Sequence, residues 1–132
     1  MNTENIDKKI TIMIVDDDSL LLNMYQTKFS SKGFEVVSVS NSSDALSKLR
    51  DGFNPDVILL DIIMPNMNGL ELLKIIRGEK LAKDSIVVML TNQADSEEEA
   101  KNLGVSGFLV KAFYIPSEVV DKVIQIYNNK NK

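Results

Sequence analysis

The sequence has no cysteine and no histidine among its 132 residues, and each absence excludes a class of chemistry. Without cysteine the chain has no disulfide framework, no thiolate zinc site and no cysteine nucleophile. Without histidine it cannot build a serine–histidine triad, a histidine-ligated zinc site or a histidine general base. Any chemistry within this chain must therefore use carboxylates, hydroxyls, lysines and a borrowed ion.

The chain also has no long apolar run and no excess of positive charge. No apolar run approaches the roughly 20 residues that cross a bilayer, and the polar N-terminus does not resemble a secretory signal. With 15 basic and 19 acidic residues the formal charge is −4, which offers no attraction to nucleic acid or an anionic membrane. We therefore expect a cytoplasmic protein that contacts neither membrane nor DNA directly.

Short apolar runs alternate with amphipathic segments along the chain. The runs at 10–15, 57–60 and 86–90 are almost wholly apolar and rich in β-branched residues, which is typical of strands buried on both faces. The runs at 34–39 and 108–110 are interrupted or short, which predicts edge strands. The segments between the runs have apolar residues at helical spacing and are predicted to be helices. The pattern therefore predicts an α/β fold with a five-stranded parallel sheet, doubly wound by helices on both faces.

One domain accounts for the whole pattern. It is predicted to span 10–127, and the polar residues 1–9 and 128–132 are predicted to be flexible ends. Ser96 and Glu99 have the spacing of a capping box and predict a helix start. The first helix is predicted to begin at Asp18 or Ser19 and shows apolar residues at helical spacing, namely Leu21, Met24, Tyr25 and Phe29.

Polar residues follow the predicted strands at the point where each strand ends. Two acids follow the first run, one follows the third, a hydroxyl follows the fourth and an ammonium follows the last: Asp16, Asp17, Asp61, Thr91 and Lys111. In an open parallel sheet, ligands bind beyond the carboxyl ends of the strands, so the fold would bring these residues together. Each has an ordinary explanation as a cap, turn or surface residue when taken singly, and only their joint placement indicates a site.

The chemistry that such a set supports is narrow. Converging carboxylates without histidine or cysteine form a hard oxygen site that suits Mg²⁺ and also Mn²⁺. A carboxylate can also attack phosphorus to give an acyl phosphate. A metal ion, an ammonium and a hydroxyl would then neutralise the oxygens of the transferring phosphoryl group.

Four motifs in order resemble the receiver domain of two-component response regulators, in particular the single-domain chemotaxis regulators. They are Ile-Val-Asp-Asp-Asp at 14–18, Leu-Asp-Ile-Ile-Met-Pro-Asn-Met-Asn-Gly at 60–69, Thr91, and Gly-Phe-Leu-Val-Lys at 107–111. The second motif is highly specific. The resemblance implies a flavodoxin-like fold with strand order 2-1-3-4-5.

The resemblance also implies a role for each acid. Asp61 matches the aspartate that accepts a phosphoryl group from a phosphohistidine on a sensor histidine kinase or phosphotransfer protein. Asp16 and Asp17 match the pair that holds Mg²⁺ together with Asp61 and the backbone carbonyl of Ile63. Lys111 matches the lysine that pairs with the phosphoryl group. Such a domain catalyses only its own phosphorylation and dephosphorylation and is not otherwise an enzyme.

The implied output is a phosphorylation-dependent change of surface. Thr91 matches the hydroxyl that moves toward the phosphoryl group, and Phe108 matches the aromatic residue that turns inward with it. We expect Phe108 and the apolar loop at 113–115 (Phe113, Tyr114 and Ile115) to face a downstream protein partner, the alternative being that these side chains fold back onto the core. The resemblance leaves open whether the protein is a monomer or a phosphorylation-dependent dimer.

One position departs from the family pattern. The family commonly has a proline in a cis peptide after the lysine, whereas Lys111 is followed by Ala112. A cis bond to alanine costs roughly 2.5–4 kcal/mol, so we predict a trans Lys111–Ala112 bond. The substitution leaves the path of the chain up to Pro116, and with it the reach of Lys111, unspecified.

Three other interpretations remain open at the level of sequence. A metal-dependent phosphatase or phosphotransferase with an aspartyl nucleophile would need a second acid two residues after Asp61, where Ile63 stands. A nucleotide- or flavin-binding domain would need a Gly-rich first turn, and the first turn is Asp-rich. A degenerate receiver would bind partners without phosphorylation, although every matched phosphorylation residue is present.

Ile63 and Gln93 lie where members of the family tune attack by water on the phosphoryl group. An apolar Ile63 cannot orient water, so we predict a phosphoryl lifetime that is not especially short. Ile63→Asn is expected to speed the decay of phosphorylated protein, measured as loss of the phosphate-sized mass over time. An unchanged decay would contradict this role.

Overall fold

The structure is a computed structural model and describes residues 9–130, in which five strands alternate with five α-helices. Short 3₁₀ helices occupy Ala94–Ser96 and Lys111–Phe113. In chain order the main elements are β1 (Thr11–Val15), α1 (Ser19–Ser31), β2 (Glu35–Val39), α2 (Ser42–Arg50), β3 (Val57–Leu60), α3 (Gly69–Gly78), β4 (Ile86–Thr91), α4 (Glu97–Asn102), β5 (Gly107–Val110) and α5 (Pro116–Lys130).

The five strands form one parallel sheet in the order β2-β1-β3-β4-β5. Every residue of β3 and β4 is buried, whereas most residues of β2 and β5 are only partly buried or exposed. This confirms the predicted doubly wound fold, its strand order and the two edge strands. Because all strands run the same way, their carboxyl ends lie along one edge of the sheet.

Successive strand residues point to opposite faces, and this alternation divides the core into two layers. On one face, Ile12, Ile14 and Leu59 pack with the buried sides of α1 and α5. On the other face, Met13 and Met89 belong to the layer formed with α2, α3 and α4. The same alternation continues past the carboxyl ends of the strands. It therefore assigns each polar residue that follows a strand to one of the two layers.

The buried stripe of α1 differs from the predicted one. Asp18 caps the helix, since its Oδ1 accepts from the backbone N–H of Leu21 at 3.1 Å. The buried residues are Leu22, Tyr25 and Phe29, whereas Met24 is 41% exposed. Three consecutive leucines begin this helix, so the sequence alone gives several apolar stripes, and contact with the sheet selects the one that includes Leu22.

The capping box lies at α3 and not at the predicted place. Asn68 accepts from the backbone N–H of Glu71, and Glu71 accepts in return from that of Asn68, both at 2.9 Å. Ser96 makes no side-chain cap for α4. Its hydroxyl instead accepts from Gln93 Nε2 at 3.2 Å, because the 3₁₀ turn before α4 directs it there.

The last helix is longer than predicted. It runs past Tyr127 to Lys130, so the predicted end of the folded domain is three residues short. The remaining predicted tail (131–132) and all but Lys9 of the predicted N-terminal segment lie outside the described residues. Over residues 9–130, no helix is both long and apolar enough to cross a membrane.

Gly69 fixes the turn between β3 and α3 against the end of β3. A Cβ at this position would lie 2.0 Å from the carbonyl oxygen of Asp61 and 2.9 Å from the Cα of Ile62. The backbone N–H of Gly69 also donates to the carbonyl of Ile62 at 2.8 Å. Only glycine allows this close approach, and the approach holds the segment that carries Asp61 in place.

Candidate acidic site

Three carboxylates meet at the carboxyl ends of β1 and β3. These strands are neighbours in the sheet, so Asp16 and Asp17 after β1 come beside Asp61 after β3. One oxygen from each carboxylate lies within 4.8 Å of the others. Asp16 and Asp61 are 2% and 6% exposed, and Asp17 is exposed to solvent.

The donor set fits a hard divalent cation. All three side chains offer carboxylate oxygen, and the exposed Asp17 leaves one side of the cluster open to water, which Mg²⁺ retains in its coordination shell. Two buried like charges this close repel each other strongly unless a cation compensates them. The cluster can therefore hold a divalent ion such as Mg²⁺.

Lys111 supplies compensating charge from the last strand. Its Nζ lies 2.8 Å from Asp16 Oδ2 and 2.8 Å from Asp61 Oδ2, and its side chain is 11% exposed. Since β4 lies between β3 and β5, the long lysine side chain crosses the end of one strand to reach the acids. The ammonium therefore bridges the two buried carboxylates.

The protonation of the site follows from burial and from this bridge. Burial raises the pKa of Asp16 above its ordinary value of 3.8, while hydrogen bonds from Lys111 and from the backbone of Asp18 oppose the rise. Burial by itself would lower the pKa of Lys111, but its hydrogen bonds to Asp16 and Asp61 raise it above 10.5. Lys111 is accordingly charged at neutral pH.

Backbone groups orient the two buried acids. The N–H of Asp18 donates to Asp16 Oδ1 at 2.9 Å, and the N–H of Ile63 donates to Asp61 Oδ1 at 3.2 Å. Each carboxylate thus has Oδ1 held by its own turn and Oδ2 held by Lys111. The side chain of Ile63 is 54% exposed beside this turn, and the ligand role of its carbonyl stays a prediction.

Thr91 and Phe108 belong to the other layer of the core. Thr91 continues the series of Val87 and Met89, is fully buried, and accepts from the backbone N–H of Gln93 at 3.2 Å through its Oγ1. Phe108 is partly buried against the same layer. In this structure Lys111, and not Thr91, contacts Asp61, and the predicted movement of Thr91 and Phe108 stays a prediction.

The chain after Lys111 follows a path that the sequence did not indicate. The peptide bonds of the described residues are all trans, which confirms the prediction for Lys111–Ala112. The backbone N–H of Ala112 donates to Asn92 Oδ1 at 2.9 Å, a tie between the loops after β4 and β5. Asn92 is an ordinary loop residue in the sequence, so no signal marked it, yet it anchors the chain next to Lys111.

The predicted partner-facing loop is divided between solvent and core. Phe113 and Ile115 are 75% and 61% exposed, whereas Tyr114 is partly buried against the layer of α1 and α5. The structure therefore gives two exposed apolar side chains and one that folds back. Their role in contacting a partner stays a prediction.

Comparisons with known proteins agree with this geometry. A family model described as the response regulator receiver domain matches residues 12–124. The DNA-binding response regulator MtrA of Mycobacterium tuberculosis is 31% identical over 114 residues, which cover 85% of this chain and 48% of MtrA. Chemotaxis protein CheY4 of Vibrio cholerae superposes with a TM-score of 0.81 at 27% identity, covering 90% of this chain and 99% of CheY4.

A third similar protein was solved with a metal and a fluoride. Response regulator TrrA of Thermotoga maritima, in complex with Mg²⁺ and BeF, superposes with a TM-score of 0.75 at 29% identity, covering 89% of this chain and 98% of TrrA. The chain spans about half the length of MtrA, a DNA-binding regulator. The expectation that the protein does not bind DNA therefore has no support from these relatives.

Because Lys111 bridges the two buried acids, we predict that replacing its side chain lowers the stability of the fold substantially. Lys111→Met leaves two buried carboxylates without a counter-charge and is expected to lower the free energy of unfolding at pH 7 by about 3 kcal/mol. Lys101→Met is the control: it breaks an exposed pair with Glu97 and should cost below about 0.5 kcal/mol. Urea denaturation measures both, and equal losses would contradict the bridge.

Acidification should reduce the difference in free energy of unfolding between Lys111→Met and the wild type. A carboxyl whose pKa is higher in the folded than in the unfolded chain gains stability as the pH falls through its folded value. The pKa of Asp16 is already raised, and loss of Lys111 removes the hydrogen bond that opposes the rise. The difference between variant and wild type should therefore shrink on moving from pH 7 toward the ordinary carboxyl range.

Proposed function

The chain belongs to the response regulator receiver domain family, and from that premise we propose that Asp61 accepts a phosphoryl group in a Mg²⁺-dependent reaction. The observation that carries the proposal is the 2.8 Å contact between Lys111 Nζ and Asp61 Oδ2 within the cluster of three acids. At such a buried carboxylate, the ammonium and a bound cation would both stabilise the negative charge of the phosphoryl oxygens.

The step transfers a phosphoryl group from a histidine nitrogen of the donor to a carboxylate oxygen of Asp61. An Asp61 oxygen attacks the phosphorus of a phosphohistidine, the P–N bond breaks, and the imidazole leaves and takes up a proton. The donor is a sensor histidine kinase or a phosphotransfer protein. Water later attacks the phosphorus, which restores the carboxylate and releases inorganic phosphate.

Each side chain of the site has a part in this step. Asp16, Asp17, Asp61 and the carbonyl of Ile63 would hold Mg²⁺, which supplies positive charge to the phosphoryl oxygens when bound; Mn²⁺ suits the same ligands. Lys111 exchanges the Asp61 oxygen for a phosphoryl oxygen without leaving the site. Asp18 takes no part, because its carboxylate caps α1.

The output is proposed to begin at Thr91. Its hydroxyl lies at the end of β4, next to the edge where the phosphoryl group forms, and a move toward that group would break its bond with the backbone of Gln93. Phe108, which packs in the same layer, would follow into the space that Thr91 leaves. The exposed Phe113 and Ile115 would then lie on the surface that a downstream protein reads.

The domain is proposed to act on no substrate other than its own phosphoryl group. An aspartyl phosphatase needs an acid–base carboxyl two residues after its nucleophile, and that position is the half-exposed Ile63. A reaction with an intracellular phosphohistidine would place the protein in the cytoplasm.

Incubation with Mg²⁺ and acetyl phosphate tests the assignment of Asp61. Intact mass spectrometry should show one phosphate-sized gain in the wild type and none in Asp61→Asn, because acetyl phosphate replaces the phosphohistidine donor. Asp51→Asn, at the end of α2, is the control and should accept phosphate like the wild type. A gain that persists in Asp61→Asn, or no gain in the wild type, would overturn the proposal.

A further inference from the structure

Lys111 lies just beyond the part of β5 that is paired in the sheet. The register of β4 and β5 ends at the pair of Thr91 and Val110, and β5 itself ends at Val110. Lys111 is the next residue, so the peptide plane on its carboxyl side lies outside the ladder. The orientation of that plane depends on contacts made by the loop between β5 and α5.

Both polar atoms of the Lys111–Ala112 peptide group are hydrogen bonded. The carbonyl oxygen of Lys111 accepts from the backbone N–H of Tyr114 at 3.2 Å, a local bond of the 3₁₀ turn. The N–H of Ala112 donates to Asn92 Oδ1 at 2.9 Å, across 20 residues of sequence. One bond on each side of the plane fixes its orientation, and Asn92 supplies the support that comes from outside the turn.

The orientation of this plane matters because the Lys111 side chain reaches far. Its Nζ lies 2.8 Å from Asp61 Oδ2, although β4 separates their two strands. Two strand spacings amount to roughly 10 Å, so a small rotation of the backbone at Lys111 moves Nζ by a larger distance. A misplacement of about 1 Å at a reacting site can lower a rate by up to about a hundredfold. Precise support of the Lys111 backbone is therefore a requirement of the site.

The bond to Asn92 exists because position 112 is not a proline. A proline has a restricted φ angle but no backbone N–H to donate, whereas an alanine has the N–H and a freer backbone. Ala112 follows a trans peptide bond and uses its N–H on Asn92. The hydrogen bond thus supplies a restraint that the alanine itself lacks. Asn92 and Ala112 are both exposed, so water competes for the bond and its net contribution is modest.

We propose that Asn92 is a positioning residue for Lys111, because its side-chain carbonyl holds the N–H of Ala112 and thereby keeps the Lys111 ammonium on Asp61. Asn92 acts through the backbone and is assigned no contact with the phosphoryl group. The effect on phosphorylation rests on the proposed function, whereas the effect on the placement of Lys111 is expected in the free protein.

A spectroscopic measurement tests the placement of Lys111 without any reaction. The ¹⁵Nζ NMR signal of Lys111, identified by its loss in Lys111→Met, reports the ammonium between its two carboxylates in the absence of Mg²⁺. Asn92→Leu keeps the shape of the side chain but removes the acceptor, and it should shift this signal toward those of the exposed lysines. Asn54→Leu, in an exposed loop before β3 at the opposite edge of the sheet, is the matched control and should leave it in place. An unmoved Lys111 signal in Asn92→Leu would overturn the inference.

The rate of phosphorylation tests the consequence for the reaction. With acetyl phosphate and Mg²⁺, Asn92→Leu should take up phosphate on Asp61 about threefold more slowly than the wild type, because one exposed hydrogen bond is lost. Asn92→Ala should be slowed to the same extent, since it also lacks the acceptor. A rate that instead follows side-chain size, with Asn92→Ala faster than the wild type, would show that Asn92 covers the site and would overturn the proposal. An unchanged rate in Asn92→Leu would do the same.

Removal of the donor isolates the bond between Asn92 and Ala112. Ala112→Pro has no N–H at this position, so Asn92→Leu should cause no further slowing in that background, whatever the rate of Ala112→Pro itself. Equal slowing by Asn92→Leu in the two backgrounds would show that Asn92 acts through another contact and would contradict the proposal. If the wild type takes up no phosphate, the proposed function fails while the Lys111 signal still tests the role of Asn92.

Discussion

The repulsion between two buried carboxylates is the constraint on which this structure depends. Asp16 and Asp61 are almost fully buried, and they share the single ammonium of Lys111 at 2.8 Å each. Asp17 adds a third negative charge at the solvent side. One lysine compensates three acids only in part, so the cluster keeps an attraction for a further cation. The site attracts a cation because the charge of its acids is only partly compensated.

The alternation of strand residues gives the site two sides. Asp16, Asp61 and Lys111 continue the layer that packs on α1 and α5, and Thr91 continues the layer of α2 to α4. The residues of the proposed phosphoryl chemistry thus lie on one side of the sheet edge, and the proposed switch residues lie on the other. The bond from Ala112 to Asn92 ties the loop after Lys111 to the loop after Thr91. This bond is a direct contact between the two sides.

Much of this arrangement follows from local sequence patterns. The runs of β-branched residues predict the buried strands, and the position of each polar residue after a run predicts that the acids and Lys111 meet. These predictions succeed because a parallel sheet fixes where every strand ends. The edge strands are also predictable, because a run interrupted by polar residues is unsuited to burial on both faces.

Features decided by tertiary contact are not accessible from the sequence in the same way. Three consecutive leucines allow several stripes on α1, and only packing against the sheet selects Leu22 and Tyr25. The capping box at Asn68 is an exception, because Asn68 and Glu71 lie three residues apart and match the local pattern of such a box. The role of Asn92 depends on the distance between two loops that are far apart along the chain. The stripe on α1 and the position of Asn92 are set by contacts between residues far apart along the chain, and no local pattern specifies them.

The central claim is that the three acids form an incompletely compensated cation site. The most direct measurement is the free energy of unfolding as a function of Mg²⁺ concentration, compared between the wild type and Asp17→Asn. Asp17 is exposed, so its substitution removes one carboxylate of the cluster with little disturbance of the core. The account predicts that Mg²⁺ stabilises the wild type progressively, as a ligand of the folded state does, and has a much weaker effect on the variant. An equal response of the two proteins, or none in the wild type, would contradict it.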